Sequence, residues 1–198
     1  MDNKTQGKER GFDLGRLVKL AKENIDGTVE GKSLPPVHLW EPDNCGQMDM
    51  VIKADGTWWH EGSRITRPNL VNLFSTILRK DGDTYFLVTP GEKIEIEVER
   101  APFLATRVDA EGEGRGQSLF FTINNGDTVE AGPQRPIRVE TDPDTGEPSP
   151  FILVRDRLEA LINRQTFYEL VELAEERDGK LGVWSQGQFF ALGAAPDA

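Results

Sequence analysis

Two stretches of this chain superpose without a gap at an offset of 97 residues. Ile65-Thr66-Arg67 matches Ile162-Asn163-Arg164. Leu70, Leu73, Phe74 and Ile77 match Phe167, Leu170, Val171 and Ala174, and Asp81-Gly82 matches Asp178-Gly179. Both apolar sets recur at helical spacing, and Thr66 and Asn163 are both residues that accept the free N–H groups at a helix start. Each copy reads as hairpin, capped helix, Asp-Gly stop, hairpin. The helices also carry apolar residues beyond the main stripe: Val71 and Leu78 in one, Tyr168 and Leu173 in the other. A stripe that wide buries two sides, against its own sheet and against the other repeat. The cleft between two such units is a natural ligand site.

The 198 residues around the repeat fit one large domain or two small ones. Duplication favours two: an α+β protein with a disordered lead-in at 1–11, an N-terminal α+β domain at 12–99, and a β-rich domain at 100–198. Apolar residues recur at helical spacing from Phe12, and a first helix capped by Asp13 is expected to stop near Asn24. A loop rich in Gly and Pro runs on through Pro35-Pro36. Met48–Ile52 and Thr57–His60 form a hairpin around Asp55-Gly56, and Tyr85–Thr89 and Ile94–Val98 form another around Pro90-Gly91. Arg79 and Lys80 are expected in the last turn of the first repeat helix, with Gly82 ending it. The second repeat helix is expected from about Arg164 to Arg177. Between Pro102 and Ile162 lie short strands separated by Gly-containing turns, including Asn124-Asn125-Gly126-Asp127 and Asp142–Gly146. Gly182–Ser185 and Phe189–Leu192 close the chain as a last hairpin.

Charge narrows the partners. The formal balance is −11, and both halves are acidic. Nucleic-acid binding draws its affinity from clustered Lys and Arg, so nucleic acid is not expected as a partner. A membrane surface is disfavoured for the same reason. A single cysteine, Cys45, and a polar N-terminus without an apolar core point to a reducing, cytoplasmic setting.

Most chemical constellations reduce to ordinary roles. His38, Cys45, His60 and nearby carboxylates fall at irregular intervals without the paired spacing of a metal site, so no metal or cofactor is expected. Cys45 reads as a small buried side chain rather than a nucleophile. Gly112-Glu-Gly114-Arg-Gly116 lies between strands with no helix after it, and is a hairpin turn rather than a dinucleotide loop. Asp142-Pro-Asp144-Thr-Gly146-Glu147 is likewise a turn rather than a calcium loop. Arg64 and Arg67 flank the start of the first repeat helix and Arg164 starts the second. Guanidinium forks suit phosphate or carboxylate, and in an acidic chain these three mark a place for an anion.

Several motifs together are similar to a known family. They are Trp40-x-Pro42-x-x-Cys45-Gly46-x-x-Asp49-Met50, Asp55-Gly-Thr-Trp58, Ile65-x-Arg67, Leu70–Leu78, Leu87-Val-Thr-Pro-x-Glu-Lys93 and Gly182-Val-Trp-Ser185. The chain resembles, over roughly residues 35–193, an uncharacterised bacterial family, domain of unknown function 1285. The family has an apolar residue where this chain has Gly91. The resemblance implies two related α+β domains, the second superficially similar to pleckstrin-homology folds. It also implies a ligand site at the domain interface, for a nucleotide-like molecule, with a signalling role.

The expectation is a non-enzymatic module that binds a small anionic, nucleotide-like ligand. Arg64, Arg67 and Arg164 would neutralise its charge with Lys93 assisting. Trp40, Trp58 or Trp184 would stack on a ring, and Asp49, His60 or Ser185 would bond its polar edges. The competing readings are an enzyme acting on a phosphorylated metabolite through Cys45, Asp49 or His60, and an adapter for a protein partner.

Overall fold

The computed structural model describes residues 12–25 and 34–195. The lead-in at 1–11 and most of the Gly-rich loop lie outside the described residues. The chain divides into two compact units: residues up to Val51 with His60–Glu97, and Ile52–Trp59 with Val98 onward.

In the first unit, helix α1 (Leu14–Ile25) starts where expected. Asp13 accepts the Gly15 and Arg16 N–H groups at 3.3 and 3.1 Å. Three residues four apart then seat this segment. The Phe12 ring fills the space a Cβ on Gly46 would take, Arg16 pairs with the buried Glu92 at 2.9 Å, and Leu20 approaches Gly91. On a neighbouring face Leu17 and Ala21 are fully buried.

The sheet built mainly from this unit has the order β3-β2-β1-β6-β5-β4, the β1–β2 turn at Ile52–Trp59 being counted with the second unit. Its strands are β1 (Cys45–Ile52), β2 (Trp58–His60), β3 (Ser63–Arg64), β4 (Leu78–Asp81), β5 (Thr84–Val88) and β6 (Lys93–Val98). β1 alternates as a half-buried strand must, with Met48, Met50 and Ile52 inward and Cys45, Gln47 and Asp49 outward. Its hairpin turn is built as the sequence requires. Asp55 accepts from the Thr57 N–H and hydroxyl, and Gly56 takes φ +78°.

Helix α2 (Pro68–Thr76) corrects two expectations. Its N-cap is Arg67 rather than Thr66, and no side chain caps it. It also stops earlier, so Arg79 and Lys80 lie on β4, and Asp81-Gly82 is the β4–β5 turn. Leu78 is buried on the strand rather than on the helix.

The second unit holds the sheet β10-β11-β12-β7-β8-β9. These strands are β7 (Phe103–Glu111), β8 (Ser118–Ile123), β9 (Thr128–Glu130), β10 (Ile137–Thr141), β11 (Pro148–Arg155) and β12 (Leu158–Ile162). Helix α3 (Arg164–Glu172) follows, then a separate three-stranded sheet of β13 (Glu175–Arg177), β14 (Lys180–Ser185) and β15 (Gln188–Ala194). Neighbours pair antiparallel except β12 and β7, which run parallel. The core includes Phe103, Leu119, Phe121, Ile152, Leu158 and Leu170. Gly114–Gly116 is one 3-10 turn between β7 and β8. Asp142 accepts the Asp144 and Thr145 N–H groups at 2.9 and 2.8 Å, closing the β10–β11 turn. No helix of the described residues is long and apolar enough to cross a membrane.

The two units are related, each with a six-stranded sheet and a nine-residue helix leading into a three-strand meander. Asn163 caps α3 as expected, accepting the Thr166 N–H at 2.8 Å. Aligning the observed caps pairs Arg67 with Asn163 and the buried Phe74 with the buried Leu170, one residue out of the sequence register. α3 ends at Glu172 rather than Arg177. Tyr168 and Leu173 are exposed, so α3 does not bury the broad stripe expected of it.

The Thr166 hydroxyl is buried without a hydrogen-bond partner among the described residues. Thr166→Val removes an unsatisfied group at nearly constant shape, and is expected to stabilise by about 1 kcal/mol. Thermal unfolding would show this as a rise of roughly 2–4 °C in Tm.

Candidate ligand-binding site

The chain leaves the second sheet after Ile162, where β12 lies parallel to β7 with Leu161 beside Leu104. On the other flank the β11–β12 ladder begins at Phe151 opposite Leu161, while Pro148–Pro150 pair with β10. Two prolines in three residues have no N–H to offer a further strand, so the sheet is left open at this point. The opening is a cleft of about 750 Å³, lined within the second unit by Leu104, Pro148, Pro150, Leu161, Ile162 and Phe167 among its apolar groups.

Its cations are Arg100 and Arg164. The Arg100 guanidinium donates to the Ser149 hydroxyl. Arg164 Nε donates to the Tyr168 hydroxyl at 2.8 Å, with the guanidinium 5.6 Å from the Tyr168 ring centre. The bond to Tyr168 holds the Arg164 pKa above its ordinary value. Arg79, Arg107 and Arg138, by contrast, sit on carboxylates. Neither cleft arginine forms an ion pair among the described residues. Two carboxylates, Asp55 and Glu147, also line the cleft; Asp55 is engaged by its own turn, and the Glu147 charge acts on Arg164 without a direct ion pair. No histidine or cysteine lines it. The arrangement offers charge, hydroxyls and an aromatic face, groups that can hold an anion.

Of the residues expected at a site, Arg164 is the one in this cleft. Arg67 lines a different cleft, within the first unit, and Arg64 is exposed on β3. Lys93 pairs with Asp81 at 2.7 Å, and its ammonium lies 4.3 Å from the Phe86 ring centre. Trp58 is only 2% exposed and belongs to the core. Trp40 is half-buried, and its carbonyl accepts from Arg79 at 2.8 Å. Trp184 is buried, with its indole N–H on Glu175 and the Arg115 and Arg177 guanidiniums 4.9 and 5.1 Å from its ring. The Ser185 hydroxyl is held between two backbone groups.

Asp49 and His60 are neighbours, His60 Nδ1 lying 2.9 Å from the Asp49 carbonyl. Cys45 is exposed rather than buried, because it falls on the outward parity of β1. Four residues of extended strand place it about 13 Å from Asp49, so no thiol–imidazole pair forms with His60. Among the described residues no group of three or more His, Cys, Asp or Glu could hold a metal.

Sequence reasoning missed Arg100, Ser149 and the outward role of Tyr168. The available signals were a cation in the strand-to-strand join and a Pro-Ser-Pro segment short of N–H donors, which pairs with β10 on one side alone.

Fold and cleft together define a duplicated α+β protein with an open, cation-bearing pocket in its second unit. The model of the DUF1285 N-terminal domain of unknown function matches residues 35–101. That of the C-terminal domain of the DUF1285 protein of unknown function matches residues 102–192. The chain belongs to the DUF1285 family. A solved DUF1285 family protein from Silicibacter pomeroyi DSS-3 is 50% identical with a TM-score of 0.79, over 83% of this chain and 90% of that one. A second, from Shewanella baltica OS155, is 23% identical with a TM-score of 0.49, over 63% of this chain and 91% of that one. No curated protein matches the chain.

Proposed function

We propose that this protein is a non-enzymatic module that binds a small anionic, nucleotide-like ligand in the Arg100–Arg164 cleft. The observation that carries the reading is the pair of guanidiniums bonded to neutral hydroxyls beside an apolar wall. An anion can take either fork without first displacing a carboxylate. Tyr168, 54% exposed, offers a flat face for a ring. A signalling role belongs to the same proposal, since ordering an exposed tyrosine on a ligand gives a partner something to read. The volume lies within the range of about 300–1,000 Å³ typical of small-molecule sites.

Nucleoside monophosphates and the matching nucleosides, titrated against the full chain by calorimetry and thermal shift, test this. A monophosphate at about a hundred times its Kd should stabilise the fold by about 2.7 kcal/mol, while its nucleoside does far less. Arg164→Ala and Arg100→Ala should each weaken binding about tenfold or more without changing the fold, since both side chains are exposed. No shift with any nucleotide at millimolar concentration, or unchanged affinity in both variants, overturns the proposal.

A further inference from the structure

The first unit contains a second cleft, of about 640 Å³, between α1 and α2. α1 carries two apolar pairs four residues apart. Leu17 and Ala21 are fully buried, whereas Leu14 and Val18 remain half-exposed and line the cleft. α2 answers with Leu70 and Leu73, also half-exposed, from the opposite wall. Each wall of the cleft carries a cation: Lys22, in the last turn of α1, continues the Leu14, Val18 spacing, and Arg67, the N-cap of α2, precedes Leu70 and Leu73.

The charge here is one-sided. Among the described residues no acidic side chain lines this cleft, although the chain as a whole carries −11. Two carboxylates that reach α1 cations are paired elsewhere along the helix: Glu92, before β6, with Arg16, and Glu23, on α1 itself, with Lys19. Neither Lys22 nor Arg67 forms an ion pair among the described residues. Four aliphatic side chains left partly open to water, with two cations and no counter-charge among the described residues, match a molecule that is apolar along its length and anionic at its head. Apolar walls gain from covering, and the head supplies the missing charge.

We propose that the α1–α2 cleft binds an amphiphile with a carboxylate or similar anionic head, its chain lying between the two helices and its head held by Lys22 and Arg67. This site is independent of the Arg100–Arg164 cleft and takes a different class of ligand.

The test titrates decanoate, decanol and acetate against the full chain, followed by thermal shift and by NMR of the α1 and α2 amides. Lys22→Gln/Arg67→Gln is measured alongside, both positions being exposed and outside the core. Decanoate should raise Tm and shift α1 and α2 amides, bind at least tenfold more tightly than decanol, and lose that margin in the double variant. Acetate should not bind. An Arg100→Ala/Arg164→Ala variant should bind decanoate as the unaltered chain does. The proposal is overturned by equal binding of decanoate and decanol, by an unchanged double variant, by no binding at all, or by loss of decanoate binding in Arg100→Ala/Arg164→Ala.

Discussion

Ser185→Ala is expected to lower Tm by roughly 10 °C, an unusually large cost for removing one oxygen. The Ser185 hydroxyl is fully buried, accepts the Leu119 N–H at 2.9 Å and donates to the Ala131 carbonyl at 2.7 Å. Leu119 and Ala131 already share one ladder bond, Ala131 N–H to Leu119 carbonyl at 2.9 Å. The serine hydroxyl therefore stands where the reciprocal bond of that pair would be. Alanine would leave a buried donor and a buried acceptor unmet, at about 1–3 kcal/mol each. The ladder is also held open nearby. Gln117 donates to the Trp184 carbonyl at 2.9 Å and accepts from the Gln186 N–H at 3.0 Å, fixing β14 against the start of β8. Thermal unfolding decides the matter. A drop below about 2 °C would mean that the two strands close on each other and replace the hydroxyl unaided.

Ser185 also shows where sequence stops informing. Its type and its place beside Trp184 suggested a ligand contact, but both partners lie more than fifty residues away along the chain. What was legible is what is local. Asp55-Gly56, Asn125-Gly126 and Asp142–Gly146 made the expected turns because their side chains and positive φ act within four residues. The caps at Asp13 and Asn163 were legible for the same reason. The duplication was legible too, because two copies reinforce each other.

The helix ends were not. Ile77 and Leu78 prolong the apolar stripe of α2, yet Leu78 pairs with Leu87 and Arg79 with Phe86, and strand pairing overrides the helical pattern. The same happens after α3, where Glu175 pairs with Gly182. Nor could the sequence choose among arginines. It singled out those at helix entries, but whether a guanidinium meets a carboxylate or a hydroxyl depends on the element its residue falls on: Arg164 reaches Tyr168 four residues on along α3, and Arg79 reaches Asp81 two residues on along β4.

Arg79→Ala should therefore destabilise the protein by about 3 kcal/mol, or roughly 6–12 °C in Tm. The Arg79 side chain is 10% exposed and serves one edge of the first unit. Its Nη1 donates to the Val37 and Trp40 carbonyls at 3.0 and 2.8 Å, and its Nε and Nη2 donate to Asp81 at 3.1 and 2.8 Å. Arg79 and Asp81 are two apart, so their side chains share a face only on a strand; on the expected helix they would diverge. Arg79→Lys should recover little, because an ammonium cannot serve two carbonyls and a carboxylate in one plane. Hydrogen exchange should rise over residues 34–44 and stay unchanged over β7 and β8. Burial works to raise the Asp81 pKa, but hydrogen bonds from Lys93 and Arg79, with their charges, outweigh it and hold the carboxyl below its usual value. A depressed folded-state pKa gives stability that is fully present above the unfolded value and is lost as pH falls through the folded one. Asp81 is 38% exposed, so solvent screening keeps this contribution small. The unaltered chain should lose it on acidification below about pH 4, and Arg79→Ala should lose less over the same interval because part of the shift is already gone. Equal acid sensitivity in the two proteins would remove Arg79 from the account of Asp81, leaving Lys93 alone to hold it.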